Sequence, residues 1–198
     1  MSPRIAFRQS EYRPLIKMLR IAVQPPPHAN PNAPFYPPLV AHLSSDTSIF
    51  AELSQTWAVA TLIHYSGEVL HDQLGGKVAD SAHPLPEGGP GPSNAGPERE
   101  RAYFYFPGLA INEPGRYRIR VSLMKMDYPP DGLTEGVVRV LETVDSRSIT
   151  VDDGAINHSR PSKWLQHNVI QVLKISDSRE RAFLRVLRED GQDIPSPH

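Results

Sequence analysis

Residues 116–123 alternate between polar and apolar side chains without a slip. A period of two over this length predicts a β-strand with one buried and one solvent-exposed face. The residues predicted to point inward are Tyr117, Ile119, Val121 and Leu123. Arg116, Arg118 and Arg120 then form an outward arginine stripe, with neighbours about 6.8 Å apart along the strand. Two interpretations of the stripe stay open: contacts with nucleic-acid phosphates, which have a similar spacing, and pairing with acidic residues on a neighbouring strand.

The remaining sequence favours strands and turns over helices. The chain of 198 residues contains 21 prolines and 13 glycines, which is typical of a β-rich fold with many turns. Further strands are predicted at residues 18–23, 39–43, 56–65, 103–106, 137–144 and 148–151, and residues 69–78 are predicted to form a turn that enters another strand. One helix is predicted at residues 178–190, with Gly191 as its C-cap. The pattern predicts an all-β sandwich with one C-terminal helix and long proline-rich loops.

Several stretches are predicted to lie outside regular secondary structure. Residues 25–38 contain seven prolines, which lack the backbone donor that a strand ladder requires. Residues 44–54 are polar and turn-like, and residues 84–100 are predicted to form a flexible low-complexity loop. Residues 1–16 have a basic character without a clear period, and residues 161–175 fit neither the strand period nor the helix period.

The charge, the cysteine content and the lengths of the apolar runs argue against several classes of function. The formal net charge of −1 provides no global positive field that would attract nucleic acid. Residues 1–20 nevertheless carry five cationic residues against one acidic residue, whereas residues 21–43 carry no charged residue. The absence of cysteine excludes disulfides, thiol nucleophiles and cysteine-based metal sites. No apolar run approaches 18 residues, so we expect no membrane span.

The sequence contains no recognisable catalytic pattern. Its eight histidines form no HxxxH or HxH pair with an acid in step, and no GxSxG motif is present. We therefore expect no catalytic residue, no metal, no cofactor and no small-molecule substrate, and we predict that the protein is not an enzyme. The aromatic residues Trp57, Trp164 and 103–106 have two open interpretations, which are core packing and stacking on nucleic-acid bases.

Four segments in sequence order carry a shared pattern, and they cover residues 19–43, 60–78, 103–126 and 183–195. The most specific is residues 103–126, which read YFYFPGLAI and then PGRYRIRVSL around a breaker. Together the segments resemble the fungal velvet domain, a family of regulators of development, sporulation and secondary metabolism. The corresponding velvet pattern is roughly F-x-F-x-x-L-x-V followed by G-x-Y-R-L-R-F-x-L.

The resemblance implies a fold and a function. The implied fold is an immunoglobulin-like β-sandwich, similar to the Rel-homology DNA-binding domain, over residues 12–195 and preceded by a basic arm at residues 1–11. The implied function is transcription regulation on double-stranded DNA by a homodimer, or by a heterodimer with another velvet protein. The implied location is the nucleus, with a cytoplasmic pool, and no membrane association is implied.

The sequence departs from the velvet pattern at the loop that makes most of the family's DNA contacts. That loop is rich in lysine and arginine in the family, whereas residues 25–38 contain neither. Because phosphate and base contacts need cationic donors, we expect the basic arm and the arginine stripe to substitute. The candidate DNA-binding residues are Arg4, Arg8, Arg13, Lys17, Arg20, His28, Arg116, Arg118 and Arg120. The alternative is a velvet-fold dimerisation subunit that does not contact DNA itself and modulates a DNA-binding velvet partner.

Overall fold

The computed structural model describes residues 17–45, 50–85, 100–128, 136–152 and 178–194. The strands are β1 (Lys17–Val23), β2 (His28–Ala29), β3 (Leu39–Ser45), β4 (Thr56–His64), β5 (Val69–Leu70), β6 (Leu74–Gly75), β7 (Ala79–Ser81), β8 (His83–Pro84), β9 (Glu100–Phe106), β10 (Ala110–Ile111), β11 (Gly115–Asp127), β12 (Val137–Asp145) and β13 (Ile149–Val151). A 3-10 helix spans Phe50–Gln55, and one α-helix, α1, spans Ser178–Glu189. The predicted all-β class with a C-terminal helix is therefore confirmed.

The strands form two large sheets and one small sheet. The four-stranded sheet has the order β1-β3-β9-β8, and all of its pairs are antiparallel. The seven-stranded sheet follows the path β2-β13-β11-β4-β5, with β12 beside β11 and β7 beside β4. Its β2–β13 pair is parallel, and its other pairs are antiparallel. Strands β6 and β10 form a separate two-stranded sheet.

The main hydrophobic core lies between the two large sheets. Strand β11 contributes the four residues predicted to point inward, and each of them is at most 4% exposed. The four-stranded sheet contributes Leu39, Ala41, Leu43, Phe104 and Phe106 to the same core. The outward residues of β11 alternate with the buried ones, so one face of this strand supplies the core and the other forms part of an outer surface.

Strands β9 and β11 are close in sequence but belong to different sheets. The chain turns at Pro107-Gly108, where Gly108 has a φ of 67°, a left-handed conformation that favours glycine. Strand β9 then pairs with β3 and β8, whereas β11 pairs with β4, β12 and β13. The two runs within residues 103–126 therefore face each other across the core and do not form a hydrogen-bonded hairpin.

Helix α1 packs against the outer face of the four-stranded sheet. A second hydrophobic core there contains Val23, Val40, Leu85, Tyr103, Tyr105, Phe183, Leu187 and Ile194. The helix ends where predicted, because Gly191 has a φ of 82° and its N–H donates to the Arg188 carbonyl at 3.1 Å. The Gln192 N–H donates to the Leu187 carbonyl at 3.0 Å, which completes the C-cap.

Most predicted strands coincide closely with observed ones, and the differences involve short elements. Residues 44–54, predicted to be turn-like, contain the 3-10 helix. The loop predicted at residues 84–100 was too long, because Pro84 lies in β8 and Glu100 in β9. Strand β2 lies within the proline-rich stretch, and a two-residue strand is too short to show a period. The basic arm, residues 86–99 and the ambiguous stretch 161–175 lie outside the described residues.

Candidate nucleic-acid interface

The structure places four of the predicted DNA-binding residues on one surface. Arg116, Arg118 and Arg120 point outward from β11, and His28 lies on β2 at the end of the same sheet. This surface is the outer face of the seven-stranded sheet, on the side opposite the main core. Arg116, Arg118 and His28 are exposed, and Arg120 is half-buried. Residues that are far apart in sequence thus meet on one sheet face.

The register of the sheet joins His28 to Arg116 in one row. Thr150 of β13 is the Cα partner of both His28 and Arg116. Directly opposite residues on neighbouring strands point to the same face, and strands are about 4.8 Å apart, so His28 and Arg116 lie about 10 Å apart. At the other end of the row, the Tyr65 N–H donates to the Arg116 carbonyl at 3.0 Å, and the Tyr65 side chain is 74% exposed.

Backbone hydrogen bonds from residues 150 and 152 to the residues before and after His28 hold it in this row. The Thr150 N–H donates to the Pro27 carbonyl at 2.9 Å, and the Asp152 N–H donates to the Ala29 carbonyl at 3.2 Å. Ile149 and Val151 are buried in the main core, so Thr150 between them points outward as strand alternation requires. The buried side chains of β13 therefore anchor the short parallel pair that β2 and β13 form.

Arg120 differs from the other two arginines because it has an acidic partner. Its guanidinium donates to both carboxylate oxygens of Asp145, at 2.7 and 2.9 Å. This hydrogen-bonded pair lowers the pKa of Asp145 and raises the pKa of Arg120, and the charge of Arg118 further lowers the pKa of Asp145. Of the two interpretations of the stripe, pairing with an acidic residue on a neighbouring strand therefore applies to Arg120. Within the described part of the chain, Arg116 and Arg118 have no ion pair.

The predicted residues of the N-terminal region do not join this surface where they are described. Arg20 lies on β1, on the outer face of the four-stranded sheet, and its Nε donates to His42 Nδ1 at 3.3 Å. Lys17 is the first residue of β1. Arg4, Arg8 and Arg13 lie outside the described residues. The arginine stripe therefore lies on the seven-stranded sheet, whereas Lys17 and Arg20 lie on the four-stranded sheet.

The aromatic residues considered for core packing or base stacking occupy different environments. All four residues 103–106 are buried, which confirms core packing for them. Trp57 is half-buried and points outward from β4, opposite Met124 of β11. Trp164 lies outside the described residues. Tyr65 is an exposed aromatic residue beside the arginines, and no sequence pattern marked it.

Two polar groups that sequence patterns did not reveal are buried elsewhere. His42 is 1% exposed, lies edge-on to Phe183 of α1, and has no hydrogen-bond partner for Nε2 within the described structure. Burial, followed by the charges of Arg20 and Arg101, lowers the pKa of His42 to about 4. Because Arg20 donates to Nδ1, the neutral ring carries its proton on Nε2. No sequence motif marks this pairing, since it depends on strand register.

Asp80 is the second buried polar group. It accepts hydrogen bonds from the Tyr105 N–H at 2.6 Å and from Lys77 Nζ at 2.5 Å, and it lies 3.1 Å from His83 Nε2. The hydrogen bond from the Tyr105 N–H ties β7 to β9. The side chain of Asp80 therefore connects Lys77, His83 and Tyr105.

Among the described residues, no cluster of three or more histidine, aspartate or glutamate side chains is arranged to hold a metal ion. Over the same residues, no helix is long and apolar enough to cross a membrane.

In comparisons with known proteins, no protein-family model matches the sequence, and no curated protein matches it.

Proposed function

We propose that this chain is a velvet-type transcription regulator that acts as a dimer on double-stranded DNA. The proposed fold is an immunoglobulin-like β-sandwich similar to the Rel-homology domain, and the proposed processes are fungal development, sporulation and secondary metabolism. The proposed location is the nucleus, with a cytoplasmic pool, and no enzymatic activity is proposed.

The positions of the resembling segments support the family assignment. Residues 103–126 supply β9 and β11, which are internal strands of the two large sheets and face each other across the core. Residues 183–195 supply most of α1 and its C-cap. The segments that resemble velvet proteins are therefore the ones that build the core and close the fold.

The observation that carries DNA binding is the row of exposed donors on the seven-stranded sheet. Arg116 and Arg118 have no ion pair within the described residues, and His28 and Tyr65 lie at the two ends of the Arg116 row. Guanidinium, imidazole and phenol groups all donate hydrogen bonds to phosphate oxygens. Such contacts position a duplex without reading its sequence. The basic arm is proposed as a separate source of affinity.

The test is a mobility-shift assay of the full chain with duplex DNA at two salt concentrations. We expect binding at low salt that weakens steeply at higher salt, because each phosphate contact contributes about −0.9 to the slope of log affinity against log salt. The variant Arg13→Ala with Lys17→Ala is expected to weaken binding and flatten this slope. Unchanged affinity in that variant would remove Arg13 and Lys17 from the DNA-binding surface.

A specific observation favours a second candidate, a dimerisation subunit that does not contact DNA. Residues 25–38, which correspond to the DNA-contacting loop of velvet proteins, carry no charge and are held against the body of the fold. The Asn32 N–H donates to the Ile111 carbonyl at 2.8 Å, and the Phe35 N–H donates to the Leu109 carbonyl at 2.7 Å. This candidate leads to a different result in the same assay: the pure chain shifts no duplex at moderate salt, whereas its complex with another velvet protein does.

A further inference from the structure

Exposed apolar residues are concentrated on β12. Val137, Val138, Val140 and Leu141 are between 38% and 59% exposed. Large apolar side chains on a strand of a soluble protein are normally turned inward or screened by charged neighbours. Such a concentration of exposed apolar side chains is typical of an interaction surface.

The register shows that part of this run belongs to a larger apolar surface. Val140 is the Cα partner of Met124, and Met124 is the Cα partner of Trp57, so these three residues form one row on the outer face of the seven-stranded sheet. Val138 and Met126 form the next row. We call this set the apolar strip: Trp57, Met124, Met126, Val138 and Val140.

The apolar strip and the arginine stripe occupy opposite halves of the same strand. Along the outer side of β11, Arg116, Arg118 and Arg120 come first, Ser122 follows, and Met124 and Met126 end the strand. The strip itself contains no charged residue. On the same face of β11 and β12, the nearest charges are those of Arg120 and Asp145, which pair with each other. The charged residues that alternate with the strip residues, Lys125, Asp127 and Arg139, belong to the other side of these strands and also pair with one another. An acidic or basic partner would therefore find no complementary charge on the strip.

The form of β12 favours contact through its face over the addition of a strand at its edge. Its pairing with β11 shifts between Leu123 and Met124, which leaves Leu141 as an extra residue in a bulge. Bulges interrupt the ladder that a new strand would have to follow. The edge is also tied to the other sheet, because the Leu19 N–H donates to Glu142 at 2.9 Å.

We propose that the apolar strip is the contact surface for a second copy of this chain, packed face to face about a two-fold axis. An isologous contact needs a patch that is complementary to itself, and an uncharged apolar strip meets this condition. Repulsion between the arginine stripes selects the two-fold axis that reverses the strand direction, which stacks strip on strip and leaves Arg116 and Arg118 of each copy at opposite ends. The proposal rests on the dimer in the proposed function and adds its surface.

The test uses sedimentation velocity of the full chain and two oppositely charged variants. One carries Val138→Lys with Val140→Lys, and the other carries Val138→Glu with Val140→Glu. Each places like charges opposite each other in a two-fold contact, so each is expected to raise the dimer dissociation constant at least about tenfold. An equimolar mixture brings lysine against glutamate and is expected to restore the dimer. Val69→Lys, at a valine of β5 that is 40% exposed, is the matched control and should leave the dimer unchanged.

Three results would overturn the proposal: a monomeric native chain, dimers that persist in both charged variants, or variants whose mixture stays monomeric. The last result would indicate that another partner or another segment of the chain covers the strip. Restoration in the mixture also shows that both variants are folded. Duplex binding by the native chain is measured separately, so loss of the proposed DNA-binding function remains distinguishable from loss of this dimer surface.

Discussion

The outer faces of the two large sheets differ in what covers them. On the four-stranded sheet, α1 buries the outward residues, and the Tyr103 and Tyr105 hydroxyls donate to Asp190 and to the Asp193 carbonyl. On the outer face of the seven-stranded sheet, Arg116 and Arg118 are exposed. Strand alternation produces both faces in the same way. The outward side chains beneath α1 are therefore buried, whereas those of Arg116 and Arg118 are in contact with solvent.

The pKa values of the two faces reflect the same difference. Burial raises the pKa of Tyr103 and of Tyr105 beneath the helix, and a hydrogen bond to Asp190 adds to the increase for Tyr103. On the open face, the pKa of Asp145 is lowered by its hydrogen bond with Arg120, which is the effect expected for a partly solvated ion pair. Mutations on the covered face should therefore change stability, and mutations on the open face should change binding.

The largest expected effect concerns the contact that covers the four-stranded sheet. Phe183 is 4% exposed and lies edge-on to both His42 and Tyr103. We expect Phe183→Ala to lower the free energy of unfolding by about 3–5 kcal/mol, because it leaves a cavity in the second core. Urea denaturation measures this loss. Arg185→Ala, on the exposed side of α1, is the control and should stay within about 0.5 kcal/mol of the native chain. Equal effects of the two changes would mean that the helix does not cover this face.

The next effect is the dependence of stability on pH. The pKa of His42 is about 4 in the folded chain and 6.5 as the reference value, so the unfolded state binds the proton first as pH falls. Stability from neutral His42 is therefore complete above pH 6.5 and is lost progressively down to about pH 4. The loss amounts to about 3 kcal/mol at about 1.4 kcal/mol per pKa unit.

Denaturant titrations between pH 7 and pH 4 test this, with His42→Leu as the comparison. The variant removes the titrating group and the unpartnered Nε2, so its stability should depend less on pH than that of the native chain. An equal loss of unfolding free energy in both proteins between pH 7 and pH 4 would contradict a lowered pKa for His42.

A smaller effect is expected from the hydrogen bonds beneath the helix. Tyr103→Phe removes a hydroxyl that donates to Asp190 and accepts from Gln192 Nε2 at 3.2 Å. Because Asp190 is exposed and regains water, the loss should be about 1 kcal/mol in thermal or urea unfolding. DNA affinity should not change. A change in DNA affinity without a change in stability would place recognition on the covered face and reverse the comparison.

The smallest stability effect is expected on the open face. Asp145→Asn breaks an ion pair whose side chains are 41% and 32% exposed, which should cost less than about 1 kcal/mol. It frees Arg120 for phosphate contact, so the salt slope of DNA binding should steepen by about 0.9. Asp72→Asn, which removes one exposed carboxylate from a turn, is the control and should leave the slope unchanged. An unchanged slope in the Asp145 variant would exclude Arg120 from the interface.

Periodicity was sufficient to predict individual elements. The alternation in residues 116–123 predicted which side chains of β11 are buried, and the helix predicted at residues 178–190 lies at Ser178–Glu189. Both patterns are long enough to distinguish a period of two from one of 3.6. The end of the helix was predictable because Gly191 provides a left-handed C-cap.

Strand partners and faces could not be predicted in the same way. A period of two assigns side chains to faces but does not identify the neighbouring strand. The pairing of Arg120 with Asp145, the row from His28 to Arg116 and the contact of Arg20 with His42 all depend on register between distant segments. Strand β12 was predicted as a strand, but its exposed apolar residues became evident only from its position at an edge.

The most direct test of the comparison is the salt dependence of DNA binding in two matched double variants. Arg116→Ala with Arg118→Ala removes two charges from the open face, and Arg181→Ala with Arg185→Ala removes two exposed charges from the helix on the covered face. We expect the first variant to reduce the salt slope by about 1.8 and the affinity by at least about tenfold, while the second stays close to the native chain. Equal losses in both variants, or no loss in the first, would contradict the assignment of DNA recognition to the open face.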